Sequence, residues 1–170
     1  MAKVQEAPQT TINSADQKFM MELGRGYDSE QCFLEALREC ERQAKHEQLK
    51  SILRTHIQQT QEQIHNLEQI FQMMGQKPQA IPCESARSLV EEGRQIVQQI
   101  NNAVLKDCAI AAAQTKVEAI EIASYDALII AAQQKEQKEV VNLLMKNKFE
   151  EQQAAAGYGL CLLELSKQAE

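Results

Sequence analysis

Tryptophan is missing from this chain of 170 residues, proline occurs only three times and glycine six, and aromatic residues make up 4%. So few breakers and rings exclude a turn-rich sandwich or barrel, and nowhere do Val, Ile and aromatics alternate with polar residues as half-buried strands require. No stretch approaches the roughly 18 consecutive apolar residues of a membrane span. The opening from Met1 to Asn13 is polar without an apolar centre, unlike a signal peptide. Residues 1–13 are therefore expected to be a flexible segment ahead of one domain over 14–168. Basic runs are also lacking: 18 Lys and Arg face 24 Asp and Glu, a formal net charge of −6, which argues against nucleic acid as a partner. The five cysteines, Cys32, Cys40, Cys83, Cys108 and Cys161, are odd in number and have no CxxC spacing. That pattern suits reduced thiols and makes a zinc knot improbable, so the expected location is cytoplasmic, with no membrane partner.

What the chain does have is helix-forming composition and helical periodicity. Ser14 and Gln17 have the form of a capping box, followed by Phe19, Met20, Leu23, Tyr27, Leu34 and Leu37, which predicts a first helix over about 14–43. Leu49, Ile52, Leu53, His56, Thr60, Ile64, Leu67 and Phe71 predict a second, ending at Gly75. Pro78 and Pro82 stiffen the stretch that follows, and Ala86 to Ile100 carries a short amphipathic pattern. A third long helix follows Asn101 and Asn102 through Leu105, Ala111, Ile122, Tyr125 and Ile129. The fourth carries Val140, Leu144, Ala155, Tyr158, Leu162 and Leu165. Two tight hairpins joined by one long crossover give an all-α, ferritin-like four-helix bundle with a short extra helix in the crossover.

At about 100° per residue, several carboxylates fall inside the apolar arcs. Glu30 lies near the centre of the first helix's stripe, Glu118 and Glu121 on the third and Glu151 on the fourth, with Glu150 at the edge of that arc. The second helix places His56 at the centre of its stripe, with Gln59, Thr60 and Gln63 around it. Each glutamate sits near the middle of its helix, so the four meet at one level. A buried carboxylate must be paired, protonated or metal-bound. One reading is a dinuclear site for iron or manganese, and the other is a hydrogen-bonded polar layer. Glu62 and His65 have the ExxH form of di-iron bundles but fall on the face opposite the apolar stripe, so they read as a solvated pair. Tyr27, Tyr125 and Tyr158 all fall on inward arcs, where core packing with a hydroxyl bonded to a carboxylate is expected.

Tyr27-Asp-Ser-Glu30-Gln, His56-Ile-Gln-Gln-Thr60, Leu89-Val-Glu-Glu-Gly93 and Ala111-Ala-Ala-Gln-Thr-Lys-Val-Glu118-Ala-Ile-Glu121-Ile-Ala-Ser-Tyr125 resemble the YciF/YciE-type bacterial ferritin-like proteins, over about residues 17–160. The resemblance implies a stress-associated, dimeric bundle with a dimetal centre at Glu30, His56, Glu118, Glu121 and Glu151, near Gln59, Tyr27, Tyr125 and Tyr158. It also implies three departures: the family usually has Glu at the position of Gln59, often His at that of Ala119, and commonly an acid at that of Ala154. Two functions follow as expectations. The first is a partly degenerate site holding up to two Fe or Mn ions, with an oxidase, peroxide-handling or metal-buffering role. The alternative is a metal-free dimeric helical protein that acts through its surface. In either case Ala86 to Ile100 and the small residues Ala109, Ala112 and Ala113 offer apolar surface that predicts a homodimer.

Overall fold

The computed structural model describes residues 11–169, so most of the segment expected to be flexible lies outside the described residues. Five helices follow in order: α1 (Ala15–Gln43), α2 (Glu47–Met73), α3 (Glu84–Gln98), α4 (Ala103–Gln134) and α5 (Lys138–Gln168); no strand occurs among the described residues. The boundaries have local causes. The Ser14 hydroxyl accepts the Gln17 N–H at 3.1 Å, and the Gln17 side chain accepts the Asn13 N–H at 2.8 Å. Asn102 caps α4 by accepting the Leu105 N–H at 3.0 Å. After α2 the chain turns through Gly75 at φ +67°, a left-handed conformation that favours glycine. Gly75 N–H there bonds to Gln72 and Gln76 N–H to Phe71, which closes a Schellman motif.

α1 and α2 form one hairpin across Ala44 to His46, and α4 and α5 form the other across Lys135 to Gln137. The long 74–102 connection carries α3 over α1 and α4. This is the ferritin-like connectivity expected from the loop lengths. Buried positions alternate at spacings of four and three. On α5 they are Val140, Leu144, Asn147, Glu151, Ala154, Tyr158, Cys161 and Leu165, the repeat that lets near-parallel helices interdigitate along one seam. The apolar core of the bundle forms two blocks, one around Phe19, Leu23, Leu67, Phe71 and Leu144, the other around Leu37, Leu49, Leu53, Ile110 and Leu165, and a smaller third cluster of Phe33, Cys83, Ala86 and Val117 lies under α3. The polar part of each stripe lies between the two blocks.

Two buried aspartates secure the connections. Asp107 on α4 accepts the N–H groups of Lys45 at 3.0 Å and His46 at 2.7 Å, fixing the first hairpin turn. Asp28 on α1 accepts the Cys83 N–H at 2.8 Å and pairs with Arg87 at 2.9 Å, fixing the start of α3. Just before that point the crossover lies on Gly24, whose carbonyl accepts the Ile81 N–H at 3.0 Å. A Cβ at Gly24 would meet Ile81 Cγ1 at 2.8 Å and the Gln79 carbonyl oxygen at 2.9 Å, so the crossover needs the bare backbone there. α3 rests on the small-residue face of α4, with the α-carbon of Gly93 so close that a Cβ would be 3.3 Å from Ala113. The two surfaces behind the homodimer expectation thus largely cover one another within one chain. The outer face of α5, with Met145, Phe149, Leu160 and Leu163, is left exposed instead.

Candidate metal centre

Four helices send side chains into the gap between the apolar blocks. Glu30 comes from α1, His56 from α2, Glu118 and Glu121 from α4, and Glu151 from α5, and all five are buried. They form two groups of three, His56 with Glu118 and Glu151, and Glu30 with Glu121 and Glu151. Within each group the candidate ligand atoms all lie within 4.8 Å of one another. Glu151 is common to both. The structure therefore gathers every residue that the sequence put forward as a ligand.

The neighbours orient these groups. His56 Nε2 lies 3.1 Å from Glu151 Oε2, and its Nδ1 lies 3.1 Å from the Tyr158 hydroxyl and 3.5 Å from Glu118 Oε1. The Tyr125 hydroxyl donates to Glu30 and accepts the Asn147 side-chain N–H at 3.0 Å. Asn147 in turn accepts from the Asn66 amide at 2.6 Å and donates to the Gln63 carbonyl at 3.3 Å. Sequence reasoning passed over Asn147 and Asn66. Asn147 could have been found, because it lies on the α5 stripe between Leu144 and Glu151.

As ionised carboxylates, several buried oxygens are left without a hydrogen-bond donor: Oε2 of Glu30, both of Glu118, Oε1 of Glu121 and Oε1 of Glu151. Buried acceptors in native proteins nearly always have a partner. Carboxylates plus one imidazole, all converging, are the donor set that suits iron or manganese in a helical bundle, so the residues fit such ions. Electrostatics sharpen the point. Burial, then the charge of Glu151, pushes Glu30 well above the ordinary carboxylate range. Burial together with the bond to Glu151 does the same to Glu118, and burial with the charges of Glu30 and Glu151 to Glu121. Glu151 moves the other way: burial raises it, but the bonds from Glu118 and His56 outweigh that and hold it below its usual value. The metal-free cluster is thus an anionic Glu151 among carboxylic acids, and Glu118 is the acid that donates to it. Burial and the nearby acids also keep the phenols of Tyr125 and Tyr158 protonated.

Two of the neighbours expected from the sequence sit elsewhere. Tyr27 packs edge-on to Phe71 at 5.9 Å and bonds to Glu68 at 2.8 Å, because its arc meets the α1/α2 seam outside the bundle centre. Gln59 is half-buried and makes no hydrogen bond to the cluster; the fully buried amide of α2 is Gln63, one turn on. Glu62 and His65 are solvated as expected, Glu62 pairing with Lys146 at 3.0 Å.

The chain is similar to several known proteins. A family model described as "Domain of unknown function (DUF892)" matches residues 14–160. Protein YciF of Escherichia coli K12 is 28% identical over 144 residues, 84% of this chain and 86% of that protein. The structure of YcfI from Rhodopseudomonas palustris superposes with a TM-score of 0.86 at 30% identity, covering 89% of this chain and 96% of that one. The crystal structure of the E. coli stress protein YciF gives 0.87 at 24% identity, covering 92% and 99%, a likeness of fold.

Proposed function

The chain belongs to the DUF892 family, and from that premise we propose that the inward cluster is a dinuclear iron or manganese centre with an oxidase, peroxide-handling or metal-buffering role in a bacterial stress response. One observation carries the reading: two ligand triads share Glu151 and contain five carboxylate oxygens that, once the acids are ionised, no protein donor satisfies. Glu30, Glu121 and Glu151 would hold one ion, and His56, Glu118 and Glu151 the other. Bound there, the ions would supply Lewis acidity and, for iron, access to two oxidation states. The chain's own groups hold the ligands in place. Tyr125, steadied by Asn147, fixes one oxygen of Glu30, and Tyr158 fixes the imidazole of His56. The apolar blocks on either side bound the gap along the bundle axis.

Because Glu30, Glu118 and Glu121 are held as acids without metal, each ion must displace protons as it binds. Protein loaded with Fe(II) or Mn(II) is expected to retain about two ions per chain after desalting. A weakly buffered titration is expected to release protons in step with binding, and affinity is expected to rise with pH. Retention of no metal together with no proton release would leave the cluster a structural polar layer. That outcome would favour the second reading, a metal-free dimeric helical protein acting through its surface, to which the neutral Gln59 and Ala154 lend support.

Association as a homodimer is part of the proposal, now through the exposed Met145, Phe149, Leu160 and Leu163 of α5. Light scattering is expected to give twice the chain mass, and Phe149→Glu with Leu160→Glu to give the single chain. A parent that is monomeric across micromolar concentrations would remove this element. No helix among the described residues is long and apolar enough to cross a membrane. With five free cysteines, this supports a cytoplasmic location.

A further inference from the structure

The two halves of the cluster are not equally enclosed. A cleft of about 500 Å³ opens between α1 and α4, beside the start of α3, and reaches Glu30, Glu121 and Tyr125; His56, Glu118 and Glu151 do not line it. The cleft exists because small residues face it from both sides, Gly26 and Ser29 on α1, and Ala119, Ala123 and Ala127 on α4. The three alanines are exposed to solvent, and nothing among the described residues covers the opening. At its floor Glu30 Oε2 and Glu121 Oε1 lack partners, although their residues are only 2% and 5% exposed. Nearer solvent is another lining carboxylate, Glu22, eight residues before Glu30 on α1, with its side chain 27% exposed. One Glu22 oxygen pairs with Lys18 at 2.5 Å, and the other is buried without a partner along the cleft wall.

We propose that this cleft is the entry route for divalent cations, with Glu22 as a transient ligand at its mouth, so that ions reach the Glu30–Glu121–Glu151 half first and pass from there to the His56–Glu118–Glu151 half. This rests on the dinuclear reading above and adds the direction in which the centre fills. The chemistry favours a cation. Carboxylate oxygens with free lone pairs mark both ends of the passage, and a partly hydrated divalent ion exchanging water for one carboxylate at a time crosses it without being fully stripped. The other polar groups on the wall are Ser29, Ser85, Ser124, the exposed Arg25 and the Cys83 thiol, which lies 3.1 Å from the Ser85 hydroxyl; Glu22 is the lining carboxylate outside the cluster, so it is the position where removal of charge should tell.

The test uses Co(II) as the probe, following its visible absorption after mixing with the metal-free full-length chain. Two variants are compared with the parent: Glu22→Gln, which removes the charge at the mouth, and Ala123→Leu, which narrows the cleft at an exposed helical position. Both are expected to take up Co(II) several-fold more slowly than the parent, with unchanged final absorbance, unchanged bound metal and parent-like melting temperatures. Glu22→Asp is expected to recover part of the lost rate. Uptake at the parent's rate in both variants would overturn the entry route. A lower final amount of bound metal in Glu22→Gln would also overturn it, because Glu22 would then be a ligand of the filled centre. Failure of the parent itself to bind Co(II) strikes the dinuclear reading instead, so the two failures are told apart.

Discussion

Glu118→Gln is expected to raise the melting temperature of the metal-free protein at neutral pH while abolishing or sharply weakening metal retention. The sign follows from proton linkage. Burial and the contact with Glu151 hold Glu118 well above its ordinary 4.5. Above that pH the unfolded chain has released this proton and the folded chain still holds it, so stability falls as pH rises from about 4.5 toward the raised value. Below it both states are protonated and the penalty vanishes. Gln has no proton to hold against the solvent, keeps the shape, and offers its amide N–H to Glu151 where the acid offered O–H. The gain is expected to be about 1–3 kcal/mol at neutral pH, several degrees in a chain of this size, and to disappear at mildly acidic pH. Thermal melts of parent and variant across pH, without metal, measure it. A variant that melts clearly below the parent at neutral pH would mean that Glu118 is held as an anion, and that the protonated cluster is misread.

The opposite change is expected at Ala154. This residue is buried on the α5 stripe one turn beyond Glu151, in the block that also holds Tyr158, Leu53 and Ile110. Ala154→Asp adds an anionic ligand beside the His56–Glu118–Glu151 group, where the present centre is poorest in charge. It is expected to tighten Mn(II) binding by roughly tenfold or more. In the metal-free protein the same carboxylate has no partner, and it is expected to cost on the order of 2–4 kcal/mol. Gln59→Glu should act in the same direction but more weakly, since position 59 is half-buried and solvent can screen it. Calorimetric titrations and melts on the same samples separate the two effects. Destabilisation without tighter binding would show that the site has no use for another ligand.

Much of this was legible in the sequence because it depends on periodicity. The helix limits followed from Ser14, Gly75 and Asn102, and Glu30, Glu118, Glu121 and Glu151 were found on apolar arcs because a helix fixes direction at every residue. What periodicity does not contain is which groove an arc faces. Tyr27 and Glu30 share a face of α1, yet one meets the α1/α2 seam and the other the bundle centre. Asp28 and Asp107 were invisible for a related reason. Each serves a backbone N–H more than fifty residues away, and a lone acid beside an apolar stripe gives no sign of such a partner. Ala109, Ala112 and Ala113 of α4 were read as part of a surface for a second chain, and α3 packs on that face. Sequence pattern shows that a face will be covered, but not by which element.

The alternation of four and three along α4 and α5 leaves one matter to the cluster alone. Such a repeat is nearly the same after every seven residues, so apolar packing by itself barely distinguishes one axial alignment of the two helices from the next. Glu118, Glu121, Asn147 and Glu151 break that sameness. Sliding either helix by one repeat would leave acids and amides against aliphatic side chains with no partner, at a cost of several kcal/mol for each stranded group. The residues that leave the metal-free bundle less stable than an all-apolar seam would make it thus act as its vernier, and the bundle can close fully only in the alignment that assembles both ligand triads.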